Sequence, residues 1–385
     1  MNFNGYIRPQ GKFGIRNHVL ILPSSVCAST VAANIAHNVP GCVSAYNAFG
    51  CCQVGADAAQ SVRTLVNTAA NPNVGAVLVV GLGCEGLEPL PIADAIAKFG
   101  KPVRMIVIQQ EGGSIKAEAR GIEIARELAA TIAQQEREPI DIAELILGLE
   151  CGGSDTTSGL AANPALGVTS DMLIKLGGAA MLSETTELIG AEHVLARRAV
   201  NAAVKDKLIK IVRDCEERAK SMGVDLRGSQ PTPGNIAGGL TSIEEKSLGC
   251  IHKAGTSPVQ GVLEYAEIQT GKGLYVMDTP GQDILSMSGM AAGGVQVMVF
   301  TTGLGTPAGN PIMPVIKVTG NHGTYTRMSD NIDIDLGGII DGTLTIEEAG
   351  QILFDEVLAV ANGKLTKAEE LGHTEFSIYR IGPTF

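Results

Sequence analysis

Apolar and polar positions follow two rhythms along this chain. In the amino-terminal part, HVLILP, VSAYNAF, GAVLVVGLG and PVRMIVIQQ are short, continuously apolar runs that read as buried strands. Between them lie segments with helical spacing: Ala28–His37, Ala56–Ala69, LPIADAIAKFG, and an amphipathic stretch from Ser114 to Gln135 with Ser114 as its candidate cap. Apolar strands alternating with helices predict a parallel sheet covered on both faces. A second block repeats the scheme. It has strands LILGLE and AAMLSET, one or two charged helices over Glu192–Met222, strands GLYVMDTP, VQVMVFTTGLG and MPVIKVTG, and a helix at Ile346–Ala361.

The fold class expected is α/β, with two Rossmann-like halves, largely parallel sheets and a site between them. The first domain is placed at 1–140 and the second at 141–385, with a Gly-rich loop at 225–256. An internal echo fits two related halves. LIL is followed closely by Cys at Leu20–Cys27 and again at Leu145–Cys151, and GAVLVVGLG near Gly75 resembles GGVQVMVFTTGLG near Gly293.

Composition narrows the partners. With 385 residues, 45% apolar and 18% charged, the chain can bury more than one core. A net charge of −11, no Trp and 4% aromatics argue against nucleic acid. The opening MNFNGYIRPQGKFGIRN has no apolar leader, and no run is long enough to cross a bilayer. The expectation is a cytoplasmic protein without a membrane partner, its eight cysteines reduced unless metal-bound.

Four cysteines, Cys27, Cys51, Cys84 and Cys151, sit where apolar runs end and small or polar residues begin. Ligands bind at the carboxyl ends of parallel strands, so these thiols are candidate metal ligands. Cys51 follows Gly50 as Cys84 follows Gly83, which favours Cys51 over its neighbour Cys52. Thiolates suit iron or zinc, but no CxxC pair marks a zinc ribbon. Two iron states fit: mononuclear Fe2+, or an iron–sulfur cluster whose three thiolates leave one iron open as a Lewis acid.

The run GLECGGSD offers Glu150, Ser154 and Asp155 beside Cys151, and LSETTE offers Glu184 and Glu187, of which one is expected to face the crevice. His18, next to Arg16 and Asn17, is an acid/base candidate, and Lys246 and Lys253 could hold an anionic group. Walker A, GxSxG and a complete GxGxxG after the first strand are absent, which counts against nucleotide and serine-hydrolase chemistry. Two rival classes stay defined by their tests. NADH binding would favour a nicotinamide-dependent oxidoreductase, and full activity of a Cys84→Ser complex would favour a non-catalytic scaffold.

GKFGIRNH, GCCQVG, NPNVGAVLVVGLGCE, LECGGSDTTSGLAANPALG, SETTE, PTPGNIAGGLTSIEEKSLG and TTGLGTPAGNPIMPVIKV occur in this order. So arranged, they resemble the altronate dehydratase/galactarate dehydratase family, sugar-acid hydro-lyases that include the large subunit of (2R)-sulfolactate sulfo-lyase. The resemblance implies an iron-dependent lyase. It would perform β-elimination on a 2-hydroxy acid, by dehydration of a sugar acid to a 2-keto-3-deoxy acid or by release of sulfite from 3-sulfolactate. On that reading Glu150, Asp155, Glu184, His18 and Lys246 are catalytic candidates. Arg16, Asn17, Lys253 and Ser154 would bind substrate. The chain begins at GYIRPQGKFG without the family's small β-rich amino-terminal domain, so a separate small β-rich subunit and an oligomeric assembly are expected.

Overall fold

The computed structural model describes residues 1–385. Its first parallel sheet has the order Cys42–Ser44, His18–Pro23, Val74–Gly81, Val103–Val107. From His18–Pro23 the chain builds outward to one side and then returns to the other. The strand order therefore reverses between His18–Pro23 and Val74–Gly81. Successive side chains point to opposite faces of a strand, and both faces here are apolar. Val19, Ile21, Ala76 and Leu78 pack with helices Val26–His37 and Ser114–Ile132. Leu20, Leu22, Val77 and Val79 pack with Gly55–Ala70 and Pro89–Ala97.

The second sheet is parallel throughout, seven strands in the order Val259–Leu263, Gly273–Met277, Ala179–Leu182, Ile146–Gly152, Val297–Thr302, Val315–Thr319, Ile334–Asp335. Its order reverses between Ile146–Gly152 and Val297–Thr302. The echoed segments thus hold equivalent places, each pair flanking the reversal of its own sheet. A small antiparallel sheet (Lys12–Gly14, Asn2–Arg8, Glu138–Asp141) ties the start of the chain to the segment between the two parallel sheets. One apolar cluster contains Leu20 and Val77 of the first sheet and Met181, Met298 and Phe300 of the second, so the halves share a core.

Several elements differ from expectation for local reasons. VSAYNAF is a strand only over Cys42–Ser44. Asn47 turns the rest into a loop, donating to Ser24 O at 2.9 Å while its Oδ1 accepts from Phe49 N–H at 2.9 Å. Helix Ser114–Ile132 begins after Gly113, at φ 112°, with no side-chain cap from Ser114. Glu192–Met222, expected as one or two helices, is two, Glu192–Ala196 and Ala202–Ser221, the second capped by Asn201. The Gly-rich 225–256 segment folds into short helices Leu226–Ser229, Pro233–Ala237 and Ile243–Ile251, capped by Asp225, Thr232 and Ser242. Strand Val259–Leu263 and helix Asp283–Ala292 are further elements. No helix is long and apolar enough to cross a membrane.

Candidate active site

Open α/β sheets bind ligands outside the carboxyl ends of strands where the order reverses. Each parallel sheet carries reactive side chains at that place.

In the first half, three loops meet there. Val26 N–H donates to Phe49 O at 2.7 Å, and Leu87 N–H to Gly50 O at 2.9 Å. Gly50, at φ 101°, allows the contact, because a Cβ on it would lie 2.3 Å from Ser24 O. Buried Glu85 pins the third loop. Its Oε1 accepts from Ser24 Oγ at 2.6 Å and Leu82 N–H at 2.7 Å, and its Oε2 from Gly83 N–H at 2.5 Å. Burial alone would raise this carboxyl, but the hydrogen bonds outweigh it and hold the group below its ordinary value. Cys51 and Cys84 stand on these joined loops and Cys27 in the first turn of helix Val26–His37, all exposed. Cys52 is exposed too, its Sγ 3.9 Å from that of Cys51, and its φ of 59° gives it a different backbone from its neighbour. Exposed thiols of this kind have the donor chemistry of iron or zinc ligands.

Cys151 belongs to another set. It lies inside strand Ile146–Gly152, fully buried, opposite Thr301. Its Sγ accepts from Lys253 Nζ at 2.7 Å, donates to Glu187 Oε2 at 2.8 Å, and stands 3.5 Å from Cys250 Sγ. Lys253 also bonds Glu184 Oε2 at 2.6 Å, and Lys246 pairs with Glu187 Oε1 at 3.2 Å. Glu150 Oε2 accepts from Ser183 Oγ at 3.1 Å and Ser286 Oγ at 2.9 Å.

The electrostatics follow from burial and charge. Glu150 is pushed well up by burial and the nearby Glu184. Glu184 is raised to about 7, by burial first and then by Glu187. Glu187 is equally buried, yet Lys246 and Lys253 overcome that and hold it down to about 2. Both lysines lose solvation, but their anionic neighbours keep each above its ordinary value, so both are ammonium ions. Glu184 has left-handed backbone, φ 65° and ψ 66°, fixed by its N–H donating to Thr279 Oγ1 at 2.7 Å. Such a conformation in a non-glycine residue costs about 1–3 kcal/mol and recurs at functional sites.

This network backs a cleft of about 220 Å³ lined by Ser154, Asp155, Asn163, Lys246, Cys250 and His252, among others. Asp155 Oδ1 accepts from Thr157 Oγ1, Ser158 N–H and Ser158 Oγ at 2.7, 2.9 and 3.2 Å. Its Oδ2 takes a single bond from Asn321 Nδ2 at 3.2 Å. Ser154 Oγ is buried with no partner.

The structure therefore brings together Glu150, Cys151, Ser154, Asp155, Glu184, Lys246 and Lys253. It sets Cys27, Cys51 and Cys84 apart on the first half. Arg16, Asn17 and His18 join neither group. They sit at the amino end of strand His18–Pro23, roughly 20 Å along the strand from the thiol loops. Every Arg16 N–H is engaged, by Glu369 and by the carbonyls of Ile15, Val360 and Lys364. Asn17 Nδ2 donates to Ile132 O at 2.8 Å. Four further contributors are Cys250, Asp283, Ser183 and Ser286. Asp283 and Ser286 ride on a helix that the apolar pattern did not reveal, and Glu187 was signalled with Glu184 by its place in LSETTE after a strand end.

Two family models cover the chain. Residues 5–133 match "D-galactarate dehydratase/Altronate hydrolase, second domain" and residues 142–384 match "D-galactarate/Altronate dehydratase, C-terminal". The (2R)-sulfolactate sulfo-lyase subunit beta of Chromohalobacter salexigens is 41% identical, over 98% of this chain and 97% of that protein. The altronate dehydratase of Bacillus subtilis is 35% identical, over 99% of this chain and 78% of its own length. The galactarate dehydratase (L-threo-forming) of Escherichia coli is 38% identical, over 84% of this chain and 63% of its own length. The chain belongs to the D-galactarate/altronate dehydratase family, whose relatives named here are all lyases.

Proposed function

We propose that this chain is the catalytic subunit of a lyase that eliminates a β-substituent from a 2-hydroxy acid, by dehydration of a sugar acid to a 2-keto-3-deoxy acid. The observation that carries this reading is the cleft, where a carboxylate oxygen with spare acceptor capacity, an ammonium ion and an unpartnered buried hydroxyl converge. Asp155 Oδ2 takes the proton from C2 while the bonds to Oδ1 fix the carboxylate in place. Lys246 holds the substrate carboxylate and the negative charge that develops as the proton leaves, and Ser154 Oγ orients a substrate hydroxyl. Behind them, Lys253 fixes Glu184, Glu187 and Cys151, so the wall of the cleft does not shift when charge appears. The C3 hydroxyl leaves as water, and the resulting enol becomes the 2-keto acid.

Cys27, Cys51 and Cys84 are the proposed iron ligands, and their exposure at the cross-linked loops supports that assignment. Bound iron supplies a Lewis acid. A small β-rich second subunit is proposed as partner, in line with a relative named as one subunit of its enzyme. A second reading, release of sulfite from 3-sulfolactate, is favoured by the match along 97% of the sulfo-lyase subunit, against 78% of the B. subtilis altronate dehydratase.

The test is an anaerobic assay of the assembled enzyme on altronate, galactarate and 3-sulfolactate. A 2-keto-3-deoxy acid supports dehydration, pyruvate with sulfite selects the second reading, and turnover of none rejects the lyase assignment. Asp155→Asn should lower kcat about 10²–10⁴-fold with little change in KM. An unchanged kcat would remove Asp155 as the base. Iron with about equal acid-labile sulfide would establish a cluster, and iron alone mononuclear Fe2+.

A further inference from the structure

We propose that the cavity at the joint between the halves, lined by Arg8, Lys12 and Lys101, binds a small hydroxylated organic dianion, a phosphate monoester or a dicarboxylate. The cavity measures about 280 Å³ and no Asp or Glu lines it, in a chain of net charge −11.

Two of its cations are buried without a counter-charge. Arg8 is 3% and Lys101 7% exposed. Lys101 Nζ donates to Ala69 O at 2.9 Å and to Asn71 O at 2.5 Å. Arg8 donates to Pro72 O at 2.7 Å, Gln135 Oε1 at 2.6 Å and Arg16 O at 2.9 Å, and its guanidinium faces the Tyr6 ring. All these partners are neutral, and the bonds leave N–H groups on both cations free. Buried charges are normally paired, so two beside one cavity point to an anion supplied from solution. Burial lowers both groups, Arg8 to about 10, and the charge of Arg8 lowers Lys101 further, the response of cations held together without an anion. Exposed Lys12 adds a third positive charge to the wall.

The rest of the wall defines what carries the charge. Phe99, Ile146 and Ile268 offer apolar surface to a carbon skeleton. Gln269 also lines the cavity at 1% exposure, and its Oε1 is buried with no partner. A hydroxyl on the ligand supplies the missing donor. Two unpaired buried cations favour a doubly charged anion over a monocarboxylate.

Position separates this cavity from the chemistry. Lys101 precedes strand Val103–Val107, Ile146 opens Ile146–Gly152, and Gly294 precedes Val297–Thr302. These are amino ends of parallel strands, whereas the thiols and the cleft stand at carboxyl ends. The lining comes from both halves. It includes Asn67 and Asn71, whose amides donate to Ala266 O, Ala291 O and Val295 O across the joint. A ligand here braces the joint and leaves the cleft free, the position of an effector and not of a substrate. The proposal stands whether or not the chain is a lyase.

The test is isothermal titration calorimetry of the full chain with glycerol 3-phosphate, malate and inorganic phosphate, with thermal melts in parallel. We expect one saturable site per chain for glycerol 3-phosphate or malate, with a rise in Tm. Inorganic phosphate, which cannot use the apolar wall, should bind about tenfold more weakly or worse. The tighter of the two organic anions identifies the class. Lys101→Met and Lys12→Glu should each weaken binding about tenfold or more. Lys205→Ala, on helix Ala202–Ser221, should bind as the parent chain does. Melting without ligand reports the folding of each variant, and exposed Lys12 keeps the test decisive should Lys101→Met fail to fold. No saturable binding of either organic anion, or equal binding by Lys12→Glu and the parent, would overturn the proposal, as would inorganic phosphate binding as tightly as the organic anions.

Discussion

Arg16 and Lys246 carry the same charge and meet opposite fates. Arg16 spends all its donors on Glu369 and three carbonyls, while Lys246 lines a cleft. Residue type and neighbouring sequence do not separate the two cases, because their partners lie hundreds of positions away for Arg16 and about sixty for Lys246. His18 begins the strand next to Arg16, away from both groups of reactive side chains, and its titration tests a role in stability. Desolvation lowers its pKa to about 4, against the pull of Glu369. The unfolded chain takes up this proton near pH 6.5, so the stability His18 contributes is complete above that pH and lost as pH falls towards 4. His18→Gln should flatten this part of a Tm-versus-pH curve, and an unaltered slope between pH 6.5 and 4 would show that another group causes it. Glu184 and Cys151 were legible as chemistry, but their pairing through Lys253 was not.

Among the elements, the uninterrupted apolar strands were read most faithfully, since such runs leave little alternative to a doubly covered sheet, whereas Asn2–Arg8, Lys12–Gly14, Glu138–Asp141, Val259–Leu263 and Ile334–Asp335 went unread. The helix Asp283–Ala292 escaped because its residues DILSMSGMAA are mostly small or apolar and mostly buried, so no polar stripe marks an exposed face. That helix also shows how the halves are joined. Asn71 Nδ2 donates to Ala291 O and Val295 O, and Asn73 Nδ2 donates to Gln296 O and Ile312 O. Asn73 Oδ1 also accepts from Ile15 N–H at 2.9 Å. Asn73→Ala leaves three buried backbone groups without partners and should cost about 3 kcal/mol or more. Denaturant unfolding measures this, and a loss below about 1 kcal/mol would show that water replaces the side chain.

At the scale of the molecule, the carboxyl-terminal segment belongs to both halves. Phe376 and Ile378 are buried in the shared core, Ser377 N–H donates to Ser288 Oγ, Ile381 N–H to Asp57 Oδ1, and Phe385 N–H to Cys52 O. Its last residues therefore brace the loop that carries Cys51 and Cys52. Removing residues 376–385 exposes two buried apolar side chains, each worth about 1.5–3 kcal/mol. The truncated chain should melt several degrees lower and its loop cysteines should alkylate faster. Equal alkylation rates would show that the loop stands without this support.

By itself, the sequence determined the α/β class, the placement of reactive residues at strand ends, and membership of a lyase family through ordered motifs. These are properties of local pattern, since periodicity and turn chemistry act within a few residues. Only the tertiary structure decided which of those residues share a site. It separated Cys151 from the three exposed thiols, joined it to Lys253 across 102 positions, and brought Asp283 to Glu150 from a helix in another part of the chain. Such pairings are set by strand order and by compensation of buried charge, and neither is written in the spacing of residues along the chain.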